Sequence, residues 1–172
     1  MKRPTLSFFA GCVLVFSLCA LAAAQPASRS VAPSSGKALC SALTPADFTK
    51  AGVPVSALDQ ANLDGNDGAY CVYQSKAGKV EFDIFFLAGN TPKEVSATEQ
   101  TVLGEGGGKF TPVQLAGADS AQISLSLADQ PASACIVVRR GKAVFDIVIP
   151  RGAQARQQLL DLAQIVLSRL KQ

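Results

Sequence analysis

Apolar residues recur in this chain with two different periods, and the alternation between them lays out its elements. Val80, Phe82, Ile84 and Phe86 fall at every second position, which puts them on one face of a strand. Ile123, Leu125 and Leu127 alternate in the same way with Gln122, Ser124 and Ser126, the pattern of a half-buried strand with a wet side. Near the end, Leu159, Leu162, Ala163, Val166 and Leu170 follow helical spacing. The full prediction is a short helix over 45–51, strands over 70–74 and 79–87, and a helix over 92–103. A strand over 120–127, a hairpin from 135–139 and 142–149, and a helix over 153–170 complete it. Thr44, Pro45 and Asp47 supply the N-cap, first helical residue and capping-box acid of the first helix. Asp64-Gly65-Asn66-Asp67-Gly68 and Arg140-Gly141 are turn chemistry, and Gly104 to Gly108 reads as a flexible loop.

The chain also echoes itself. At an offset of 63, Gly78, Lys79, Phe82, Asp83, Ile84 and Gly89 match Gly141, Lys142, Phe145, Asp146, Ile147 and Gly152. Each half reads strand, glycine turn, strand, glycine, helix. The fold class expected is α+β: a single antiparallel sheet of about five strands, with helices packed on its Phe/Ile face and a possible duplicated ββα unit.

The first residues have another logic. Lys2 and Arg3 precede the almost wholly apolar Leu6–Leu21, and Ala22-Ala23-Ala24 leads to polar Gln25. That order predicts a signal peptide over residues 1–24, cleaved after Ala24, with the product periplasmic or secreted and no stable membrane span. A lipid attachment at Cys12 is the less favoured reading, because too little apolar chain precedes it; Cys19 follows Leu18 where a small residue is wanted. Residues 25–38, rich in Pro, Ser and Ala, read as a disordered tether, and 39–172 as the α+β domain.

Cleavage at Ala24 removes two of 16 basic residues and none of the 13 acids. A nearly neutral product gives no field for nucleic acid or anionic membrane. It keeps Cys40, Cys71 and Cys135, which in an oxidising compartment implies one disulfide and one thiol. Of the three pairings, Cys40–Cys71 is favoured because it staples the N-terminal segment to the first strand.

Leu39-Cys40-Ser41-Ala42-Leu43-Thr44-Pro45-Ala46-Asp47, with Gly52-Val53-Pro54-Val55 and Ala69-Tyr70-Cys71-Val72-Tyr73, resembles a broad group of secreted bacterial domains and lipoproteins of unknown function. Extracellular sensor domains of mycobacterial-type receptor kinases are distantly similar. The resemblance runs over about residues 39–171 and places Cys40 and Cys71 on the group's paired positions, which supports their disulfide. Cys135 has no counterpart there, and Tyr73 stands where Trp is common. The resemblance implies an exported, non-enzymatic, ligand-sensing domain.

The chain has no histidine, which removes His-based nucleophile pairs, His zinc sites and the usual proton shuttle, and leaves a cysteine without its base. Gly104-Glu105-Gly106-Gly107-Gly108-Lys109 fails as a phosphate loop: Leu103 replaces its first glycine, and Phe110 the magnesium-binding hydroxyl. Asp64 to Ser75 fails as a calcium loop, with Ala69 and Ser75 in place of Gly and Glu. No metal or cofactor is expected.

What remains is a sheet face. Asp83 and Asp146 point away from the Phe/Ile side, where a pseudo-twofold would bring them together. The plain expectation is that they face water or pair with Lys79, Arg139 or Lys142. Gln122, Ser124, Ser126 and Arg139 join them among Val137, Phe85, Val144 and Val148. The candidate ligand-binding residues are therefore Asp83, Asp146, Arg139, Gln122 and Ser124. The expected function is a non-catalytic binding or sensing module for an unknown small molecule or envelope component. The alternatives are a domain docking to an envelope protein and a carboxylate-dependent hydrolase. The last requires the two aspartates within about 10 Å of each other with separated pKa values.

Overall fold

A computed structural model describes residues 36–64 and 68–170. The expected signal peptide, the cysteines weighed for lipid, the tether up to residue 35 and the turn residues Gly65, Asn66 and Asp67 lie outside the described residues. The first element, α1 (Gly36–Cys40), begins within the stretch read as tether, and α2 (Pro45–Lys50) follows. Asp47 caps α2 as its sequence predicts, accepting from the Thr44 N–H at 2.8 Å and the Thr44 hydroxyl at 2.6 Å.

Seven strands form one open sheet: β1 (Ala57–Asp64), β2 (Gly68–Gln74), β3 (Val80–Phe86), β4 (Thr111–Pro112), β5 (Ser120–Ser124), β6 (Ser133–Arg140) and β7 (Ala143–Pro150). Their order is β1-β2-β3-β7-β6-β5-β4, and every neighbouring pair is antiparallel. The count exceeds the expected five through β1, which has no regular alternation, and the two-residue β4. Between β3 and β4 runs α3 (Pro92–Glu105); α4 (Ala155–Arg169) ends the described fold. Gly141, at φ 56°, makes the tight β6–β7 turn in the left-handed region that glycine reaches without cost.

One face of the sheet carries Phe82, Ile84, Ile136, Val138, Phe145, Ile147 and Ile149. They form the main core with Leu159, Leu162, Ala163 and Val166 of α4, and with Leu39, Leu43 and Phe48 from the α1–α2 region. The other face carries a smaller cluster of Leu127, Cys135, Val137 and Val148, against which Val102 and Leu103 of α3 and Phe110 pack. The helices are thus divided between the two faces, contrary to the single-face expectation. Only Val95 and Glu99 are buried on α3, so the thin apolar stripe of that helix suits the polar side of the sheet, while the broad stripe of α4 takes the apolar side. The predicted 120–127 strand also stops early. Beyond Ser124 the chain turns, so that Leu125 is exposed and Leu127 reaches the smaller cluster rather than the side of Ile123.

Cys40 and Cys71 form the disulfide, with their Cα atoms 5.8 Å apart, and Cys135 is a buried thiol. At the far end of α4, Arg169 donates to both Asp47 carboxylate oxygens, at 2.6 and 2.8 Å, and to the Ala42 carbonyl at 3.0 Å. Burial opposes ionisation of Asp47, but the hydrogen bonds from Arg169 and Thr44 outweigh it and bring its pKa to about 2. This clamp therefore stabilises the fold above about pH 4 and is lost as the pH falls toward about 2.

Candidate functional site

The sheet register lines the candidate residues up in rows. The central row crosses six strands: Asn62, Tyr70, Asp83, Asp146, Val137 and Gln122. A second runs Gln60, Val72, Glu81, Val148, Cys135 and Ser124, and a third Gly68, Phe85, Val144, Arg139 and Ser120. All five candidates therefore occupy one face, as their alternation predicts.

At the centre, Asp83 lies directly opposite Asp146 across the β3–β7 seam. Opposed residues in an antiparallel pair have Cβ atoms about 4.5–5.5 Å apart, well inside the distance an acid/base pair requires. The echo is the reason. Phe82-Asp83-Ile84 pairs with Ile147-Asp146-Phe145, so the local twofold passes between the two aspartates. Their neighbours on the apolar side, Phe82 and Phe145, meet edge to face with centroids 6.2 Å apart.

The two carboxyls differ in setting. Asp146 is only 8 % exposed, and Asp83 is half-buried. Burial first, then the charges of Asp83, Glu81 and Glu105, push the Asp146 carboxyl well above the usual carboxylate range. Like charge across the seam thus opposes ionisation of Asp146 while Asp83 is charged. Beside them the Tyr70 hydroxyl donates to buried Glu81, and burial together with that bond holds the phenol protonated. Burial and the charges of Asp146, Asp83 and Glu81 likewise raise the Cys135 thiol, so it is poorly disposed to act as a thiolate.

The three cations considered as partners for the aspartates also hold other groups. Lys79 pairs with Glu81 at 2.7 Å, Arg139 with Glu99 at 2.9 Å and Asp119 at 3.7 Å. Lys142 donates to the carbonyls of Ala88 and Asn90. Arg139 is therefore a fastener: with Ser120, which also donates to Glu99, it ties the middle of α3 to the sheet. Ser124 is buried, its hydroxyl donating to the Ser126 carbonyl at 2.9 Å. It lies beneath Gly108, where a Cβ would come within 2.5 Å of the hydroxyl oxygen. That close approach, rather than phosphate binding, accounts for a glycine at 108. Gln122 lines a separate cleft of about 340 Å³ with Val113, Leu115, Ala118 and Ser120.

The face is thus half covered. α3 roofs the β5–β7 part, where Val137, Val144 and Val148 are buried. The half toward β2 and β3 keeps Tyr70, Val72, Asp83 and Phe85 partly exposed. The structure brings Asp83 and Asp146 together with Tyr70, Glu81 and Phe85, and assigns Arg139 and Ser124 to structural work. Glu81 and Tyr70 were missed, although the two-residue period already placed Glu81 on the face of Asp83. Among the described residues, no group of three or more His, Cys, Asp or Glu is arranged to hold a metal ion. None of the described helices is long and apolar enough to cross a membrane. The chain matches no protein-family model, no curated protein and no solved structure.

Proposed function

We propose that the domain is an exported, non-catalytic binding or sensing module. Its ligand is a small molecule or envelope component that carries a cationic group on an apolar body. The observation that carries this reading is the half-covered face: Asp83, backed by Asp146, lies on the same uncovered patch as Tyr70, Val72 and Phe85. A cation arriving at Asp83 is attracted by the two carboxyls, while the aromatic rings take the apolar part. The Cys40–Cys71 disulfide supports export to an oxidising compartment, and the resemblance to secreted sensor domains points the same way.

The carboxylate-hydrolase reading draws support from the closeness and unequal settings of the two aspartates. Against it stands the burial of Asp146 beside the α3 roof, which keeps a substrate from reaching both carboxyls. The test is an NMR titration of the labelled domain with benzylamine and spermidine as probes. Shifts should concentrate at Tyr70, Asp83 and Phe85 and disappear in Asp83→Asn. Shifts confined to Leu115 and Gln122 would move the site to the neighbouring cleft, and shifts indifferent to Asp83→Asn would sink the reading.

A further inference from the structure

The sheet finishes differently at its two edges. On one side β4 contributes two residues, one of them Pro112, so it offers almost no backbone run to another strand. On the other side β1 runs for eight residues, paired only with β2 among the described strands. It contains no Lys, Arg or Pro, residues that commonly guard such an edge. Leu63 on this strand is 54 % exposed.

We propose that β1 pairs antiparallel with β1 of a second copy of this chain, about a twofold axis through Ala61. The strand is self-complementary in that register. Gln60 lies opposite Asn62 of the second copy, and because both are exposed side chains on the same face, the two amides can donate to and accept from each other. The opposite face closes as well. Leu58, Ala61 and Leu63 pair in turn with Tyr73, Cys71 and Ala69, all core residues, so the three share the core-side face. The register shift between Leu58 and Gln60 makes Asp59 an extra residue, so that Leu58 and Asp59 together oppose a single residue across the new ladder. Counted from Ala61, that residue is Leu63. The exposed leucine therefore meets Leu58 of the second copy on the same face, and the symmetry makes the contact twice. A regular strand would not achieve this, because residues five apart fall on opposite faces.

Sedimentation of the exported chain up to millimolar concentration tests the pairing. A reversible dimer is expected. Gln60→Lys with Asn62→Lys sets like charges across the ladder and should weaken it by about tenfold or more. Gln60→Lys with Asn62→Glu sets opposite charges there and should preserve the dimer. Gln60→Cys with Asn62→Cys, on the face away from the Cys40–Cys71 disulfide, should give a disulfide-linked dimer on a non-reducing gel, since directly opposed Cα atoms about 4.5–5.5 Å apart suit a disulfide. A monomer throughout, with no cross-link between 60 and 62, overturns the proposal. So does a dimer indifferent to the lysine pair, which would form through another surface.

Discussion

Cys40→Ser will lower the stability of the domain by about 3–4 kcal/mol, the loop-closure effect of a bridge over this span. The bond joins residues 31 apart in sequence. It pins α1 to β2 at a point where both cysteines are buried in the main core. The attachment is reinforced on the same strand: the Tyr73 hydroxyl donates to the Cys40 and Leu43 carbonyls, and its ring meets Phe48 with centroids 4.6 Å apart. Loss of the bridge therefore loosens the α1–α2 region first, while the β5–β7 meander and α4 keep their packing. Urea unfolding with and without reductant checks the expectation. Equal midpoints for the oxidised and reduced wild-type chain would sink it, and Cys40→Ser should show no response to reductant.

Asp146→Asn will do the opposite and stabilise the fold at neutral pH, by about 1–3 kcal/mol. The sign follows from linkage. Burial and neighbouring acids raise the Asp146 carboxyl in the folded state, so that state holds a proton the unfolded chain releases near pH 4. Wild-type stability therefore falls as pH rises above about 4 toward the folded pKa of this group. The amide keeps nearly the same volume and needs no proton. Its advantage should grow as the pH rises above about 4 and vanish below that, where the acid is protonated in both states. Asp47 acts in the opposite sense: its clamp to Arg169 weakens as pH falls from about 4 toward 2. Unfolding midpoints of the wild type and Asp146→Asn at pH 7 and pH 4 measure the difference. A destabilised Asp146→Asn at pH 7 would mean that the carboxylate is ionised and satisfied in place.

The hairpins and both long helices were legible because each is a local pattern, decided by residues within one element. β1 was not. Leu58 and Leu63 share a face only because Asp59 is an extra residue between them, so the strand shows no period to read. The placement of α3 was also illegible. Its apolar positions announce a helix, but the echo between the halves suggested that both helices follow the same symmetry. That symmetry holds for the hairpins and stops where α3 meets Glu99's partners, Arg139 and Ser120. At the site, Asp83 and Asp146 were legible through the echo. The roles of Arg139 and Ser124 were not, because each is set by a residue distant in sequence, Glu99 in one case and Gly108 in the other.

The β3–β7 seam also sets the order in which the chain assembles. Every other strand pairing joins neighbours in sequence and closes through a short connection, or in the cases of β4–β5 and β5–β6 a modest one. Each meander can therefore form early, whereas the seam must bring together residues as far apart as Asp83 and Asp146 and is the slow, non-local step. Like charges come face to face at that step, so the barrier to joining the halves is lowest when one of the two aspartates arrives already protonated. Refolding followed by stopped-flow should accelerate as the pH falls from 7 to 5, and a rate that is flat across that range would show that the halves meet before the acids do.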